Sequence, residues 1–232
     1  MLRELLGILR ANDPLSEVGK NFRVMLRETL EMSLAAAEIL FGDGMDATGS
    51  KEVHDRDARV NKLEREIRRQ LVTHLSIPGN RADIPYSLLL MSLVKDVERL
   101  GDYAKNLSEI VDLRPSPLPA GPALEELLAI RRGVEHSFRL LSEVFEESRR
   151  DEALDLIRRG REIARRCDRL ILNISRSDHD ASAITALVLA TRYYKRLGGH
   201  VLNVLSSVTM PLDSVDYYDE DRLAVPPKDE KS

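Results

Sequence analysis

Glu98 and Asp102 stand four residues apart in a proline-free stretch, so on a helix their carboxylates lie one above the other on the same face. Two like charges so placed repel by about 0.2–0.5 kcal/mol unless a cation intervenes. Gly101, between them, costs a helix on the order of 1 kcal/mol, which points to close backbone approach or a ligand. A second row, Asp57, Asn61 and Glu64, follows the same spacing upstream. Two such rows facing each other across a helical seam could enclose an all-oxygen site. That chemistry suits a hard cation such as Mg²⁺, Ca²⁺, Mn²⁺ or iron. The same letters also read as ordinary helix ion pairs, because Lys95 lies three residues from Glu98, and Arg99 and Lys105 lie three from Asp102.

The stretch Val97-Glu98-Arg99-Leu100-Gly101-Asp102-Tyr103-Ala104-Lys105-Asn106 recurs in altered form as Tyr194-Lys195-Arg196-Leu197-Gly198-Gly199-His200-Val201-Leu202-Asn203. So long a period indicates a duplicated unit, not a short solenoid repeat. In the later copy Lys195 replaces Glu98 and Gly199 replaces Asp102, while Ala164 and Asp168 align with Asp57 and Asn61. An amine and a missing side chain cannot replace two hard-oxygen ligands, so one competent cation site is expected, not two.

Elements must hold these rows in place, and proline marks them off. None occurs between Pro14 and Pro78, between Pro85 and Pro115, or between Pro122 and Pro211. The intervening apolar residues recur at helical steps, as with Leu90, Val94, Val97, Leu100, Ala104, Leu107 and Val111, or Val60, Leu63, Ile67 and Leu71. Asp13-Pro14 and Asp83-Ile84-Pro85 read as helix starts with a capping acid. The spacing predicts helices over about 15–41, 52–75, 84–113, 123–148, 151–175 and 181–208. The expected fold is all-α: a first three-helix bundle over 1–114 with a short N-terminal helix, a Pro-rich linker over 115–122, a degenerate second bundle over 123–212, and an acidic, polar tail over 213–232 expected to be disordered.

Composition narrows the function. The 232 residues carry a net charge of −4, which gives no global attraction to nucleic acid. With 43% hydrophobic and 32% charged residues, no Trp and 4% aromatics, the balance favours helices. No apolar run approaches the roughly 20 residues of a membrane span, and the N-terminus has no apolar core of a signal peptide. The single Cys167 cannot form an internal disulfide, which fits a cytoplasmic protein. No phosphate-cradling glycine loop precedes a helix, no His has the Glu-x-x-His partner of a di-iron enzyme, and Cys167 has no paired base. A non-enzyme is expected. Arg158, Arg161, Arg165 and Arg169 form one basic ridge and Lys62, Arg65 and Arg69 another; either could dock an acidic partner, a membrane surface or phosphate, or be a solvated face.

The helix from Ile84-Pro85 to Asn106, with Asp57-Ala58-Arg59-Val60-Asn61-Lys62-Leu63-Glu64 upstream and the worn copy at Leu197 to His200, resembles the two signature helices and duplication of the PhoU family. The resemblance covers about residues 15–212 and implies two tandem three-helix bundles, usually dimeric. It further implies metal clusters held through Glu-x-x-x-Asp motifs, and restraint of phosphate uptake and sensor-kinase signalling. It puts Asp57, Asn61, Glu98 and Asp102 at metal positions, with Glu64 and Asn106 as further candidates. The metal would be divalent or iron, among Mg, Mn, Fe or Zn. The expected partners are a phosphate transporter subunit or a sensor kinase, with the protein in the cytoplasm or drawn to the membrane edge by its partner. A metal-free helical adaptor regulating a membrane transporter is the alternative expectation.

Overall fold

The computed structural model describes residues 14–42, 47–114 and 117–216, and all regular structure among them is helical. Six long helices follow in order: α1 (Pro14–Phe41), α2 (Ala47–Leu75), α3 (Ile84–Glu109), α4 (Pro122–Glu146), α5 (Arg150–Ile174) and α6 (Ala181–Thr209). The expected short N-terminal helix lies outside the described residues. Proline opens α1, α3 and α4, where its missing N–H is one of the orphan donors of a first turn. Gly79, ahead of the turn that enters α3, and Gly121, immediately before α4, hold positive φ (109° and 141°), a region that favours glycine.

Two helix boundaries differ from the periodicity. The α2 helix begins at Ala47, five residues before the expected start, and α3 tightens into a 3₁₀ turn at Ile110–Asp112. Asp83 precedes α3 as expected but gives it no side-chain cap. Its carboxylate instead accepts a 2.8 Å bond from Nε2 of buried His74, while the Asn80 amide donates to the His74 carbonyl at 2.9 Å. The α2–α3 turn is therefore closed from within. Only α6 carries a side-chain cap among the described helices for which both ends are characterised, Asp180 accepting from the Ala183 amide at 2.8 Å.

Helices α1, α2 and α3 pack on one another, as do α4, α5 and α6, giving two antiparallel three-helix bundles. Most of the predicted stripe residues are buried: Val60, Ile67, Leu71, Leu90, Val94, Val97, Leu100, Ala104 and Leu107 are fully enclosed, while Leu63 and Val111 are partly buried against the core. Each such Leu, Ile or Val contributes about 1.5–3 kcal/mol of burial. The bundles are not separate cores. The α3 helix packs lengthwise on α6, and the buried side chains of both halves form one continuous cluster.

Aromatic contacts tie the halves together: Phe22 against Phe145 at 5.4 Å and Phe41 against Tyr194 at 6.3 Å. Arg131 of α4 sits 5.3 Å over the Phe41 ring and bonds Glu38 of α1 at 2.9 Å. Nor are the linker and tail loose where they are described. Leu118 is buried, and beyond α6 the 3₁₀ turn Leu212–Ser214 leads to buried Val215 and to Asp216, whose amide donates to Ser206 Oγ at 3.0 Å. The expected disordered tail therefore starts too early at 213, because Val215 has an apolar pocket to fill; residues 217–232 lie outside the described ones.

Candidate functional site: an acidic seam and a basic cleft

Along the border of the α2–α3 seam, the two acidic rows are linked through a lysine. Asp57 and Asn61 project from α2, and the Asn61 amide donates to Asp57 Oδ2 at 3.4 Å. Glu98 and Asp102 project from α3 one turn apart, half-buried as their flanking position dictates. The cation between the helices is Lys105. Its ammonium donates to Asp57 Oδ2 at 2.9 Å and lies 3.8 Å from Asp102 Oδ1. Burial pulls the Lys105 amine down, but the hydrogen bond to Asp57 and the charges of Asp57, Asp102 and Glu109 outweigh it and hold the pKa above its usual value.

Glu98 is engaged separately. Lys95 donates to it at 2.7 Å, while Arg99 bonds Asp102 at 3.0 Å. Glu64 pairs with Arg68 at 3.1 Å, and Asn106 stands half-buried one turn beyond Asp102. The donor set thus fits a hard cation in chemistry, oxygen from two facing helices, but not in arrangement. No group of three or more His, Cys, Asp or Glu side chains among the described residues is placed to hold a metal. Gly101 lies against the α1–α2 wall, where a Cβ would stand 3.5 Å from Thr29 and Val60 and 3.6 Å from Met32, an ordinary contact, so packing there does not require glycine.

The second bundle turns the same place into its opposite. Lys195, in the position of Glu98, reaches across to Asp168 of α5. Beside it a cleft of about 570 Å³ opens between α5 and α6, lined by Arg161, Arg165, Arg192, Lys195 and Arg196 and by no Asp or Glu. Of the four arginines of the expected α5 ridge, only Arg161 and Arg165 line it. Arg158 pairs with Asp155 at 3.3 Å and Arg169 with Glu162 at 3.1 Å, both on the solvated side. Sequence reading missed Arg192 and Arg196, although the run Arg192, Lys195, Arg196, Gly199 has the three- and four-residue steps of one helix face.

A third cluster was also missed. Buried Asp96 of α3 accepts from Asn203 at 2.7 Å and from the Nδ1 side of His200 at 2.8 Å, both on α6. Cys167 is buried, and burial pushes its thiol up to about 12, which disfavours the thiolate.

A duplicated three-helix bundle with an acidic seam in its first half defines the class of fold. The family model of the PhoU domain matches residues 22–111, most of the first bundle. A phosphate-specific transport system accessory protein PhoU homolog of Synechocystis is 28% identical over 86 residues, which are 37% of this chain and 38% of that relative. The match thus spans well under two thirds of the relative's length. The crystal structure of PhoU from Pseudomonas aeruginosa superposes with a TM-score of 0.76 at 19% identity, covering 84% of this chain and 95% of that one. The phosphate transport system regulatory protein PhoU from Streptococcus pneumoniae gives 0.73 at 17%, covering 91% and 98%. At these identities the structures share the fold. No described helix is long and apolar enough to cross a membrane.

Proposed function

We propose that the chain is a non-catalytic regulator of phosphate transport or of phosphate-responsive signalling, acting by binding a transporter subunit or a sensor kinase, as a homodimer in the cytoplasm or at the membrane edge. The observation that carries this reading is the PhoU-domain match over the bundle bearing Asp57, Glu98 and Asp102. The printed roles of the relatives, accessory and regulatory proteins of phosphate transport, support it. Deleting the gene in its host is expected to change phosphate uptake or phosphate-responsive expression, with the full chain restoring both. Unchanged uptake and expression would sink the reading.

The finer part concerns the cation. In this reading Asp57, Asn61, Glu98 and Asp102 hold a hard metal ion that pins α2 to α3, and they do so in competition with Lys105. One observation favours the rival, a metal-free adaptor: the Lys105 ammonium already bridges the two helices. Melting curves with Mn²⁺, Mg²⁺ and chelator separate them, because a ligand of the folded state raises its melting temperature. Metal binding predicts a rise in the native chain and a larger one in Lys105→Ala. No rise in either leaves the adaptor.

A further inference from the structure

The second bundle's cleft has the attributes of an anion site. Its cations come from two helices, Arg161 and Arg165 from α5, and Arg192, Lys195 and Arg196 from α6. On α6 they recur at helical steps, about 5.4 Å per turn along one wall. Two carboxylates temper the rim, Asp168 on Lys195 and Glu162 on Arg165. Arg192 and Arg196 are exposed and make no ion pair with any described residue. Four residues apart on one helix face, these two like charges repel. Both arginines are fully charged at any physiological pH.

The shape narrows the ligand. About 570 Å³ falls within the range of small-molecule pockets and far exceeds what one oxyanion fills. The Gly198–Gly199 pair removes side chains from the α6 wall where the first bundle has Asp102. Planar guanidinium forks match phosphate oxygens two at a time, and several of them separated by a helical turn suit several phosphate groups. We propose that this cleft binds a compact polyanion carrying two or more phosphate groups, either a free polyphosphate or the phosphate chain of a nucleotide. The site is the charge-inverted twin of the acidic seam, and it stands whether or not the chain regulates phosphate transport. His200 and Asn203, which also line the cleft, hold Asp96 of the first bundle, so an occupant sits directly against the contact joining the halves.

Calorimetric titration of the full chain with tripolyphosphate, ATP, inorganic phosphate and citrate tests this. Tripolyphosphate or ATP is expected to bind at least about tenfold tighter than inorganic phosphate or citrate, since each further bidentate pair adds a charge-assisted contact. Tighter tripolyphosphate than ATP assigns the site to free polyphosphate, and the reverse assigns it to a nucleotide. Arg192→Glu with Arg196→Glu, at two exposed positions, is expected to abolish binding with the melting temperature unchanged. Arg158→Glu, on α5 outside the cleft, is expected to leave binding intact. Citrate binding as tightly as tripolyphosphate, or equal losses from the Arg158 and the Arg192/Arg196 variants, would overturn the proposal in favour of unspecific charge attraction. So would the absence of binding in the native chain.

Discussion

Tyr103 and His200 occupy matching positions in the two copies of the repeat, and their rings stack on each other at 5.6 Å with planes 21° apart. The neighbouring contacts obey the same exchange. Asp96 touches His200, and its counterpart Tyr193 touches Tyr103, with ring centroids 6.1 Å apart. The α3 and α6 helices therefore meet about a local two-fold relation, as subunits do in an isologous dimer.

The stack and the hydrogen bond at His200 should be separable from ordinary packing loss. In His200→Ala, buried Asp96 keeps only Asn203, and an under-satisfied buried carboxylate costs about 2–3 kcal/mol. Removing the acid as well, in Asp96→Ala/His200→Ala, should recover part of that loss. Urea unfolding of the three variants checks it. A double variant as unstable as the sum of the singles would show that the two residues are not coupled.

Asp216 gives the α3–α6 contact a pH dependence. Its carboxyl is pushed up to about 6, chiefly by burial, with the Asp96 charge adding and His200 opposing. A carboxyl that holds its proton more tightly in the folded chain than in the unfolded one favours folding at low pH. That contribution fades as pH rises from the ordinary value of 3.8 through about 6. The stability difference between Asp216→Asn and the native chain should therefore shift towards the variant over that window and stay flat above it. Denaturant titrations at about pH 4, 6 and 7.5 read this difference; a difference independent of pH would contradict it.

Two helix glycines should respond oppositely to alanine. At Gly101 the added methyl meets ordinary van der Waals contact, so Gly101→Ala should gain about 0.5–1 kcal/mol of helix propensity. At Gly160 the same methyl would come within 2.6 Å of Leu202, whose displacement should cost about 1–3 kcal/mol. Thermal melting of the two variants tests the contrast.

What the sequence revealed and what it hid divide along physical lines. Helices announce themselves through local periodicity, so the stripe from Leu90 to Leu107 and the proline-marked starts were legible. The pairs Lys95–Glu98 and Arg99–Asp102 were legible too, since partners three residues apart must meet on a helix. Lys105 reaching Asp57 was not, because which row of α2 faces α3 depends on packing. Asp96 with His200 was further out of reach, the partners lying 104 residues apart with no spacing rule to join them. The loss of acids at Lys195 and Gly199 was visible, but not that Arg192, Arg196 and Arg161 would gather beside them.

Side chains along the line where α3 meets α6 must each suit an opposite number on the other copy. A change at Tyr103 is felt at His200, and one at Asp96 is felt at Asn203. The outward face of each half has no such correspondent. Acid on one copy and base on the other lie beside the α3–α6 line, and the basic cleft reaches it through His200 and Asn203, so a chain built from two like pieces carries unlike chemistry on either side of one shared join.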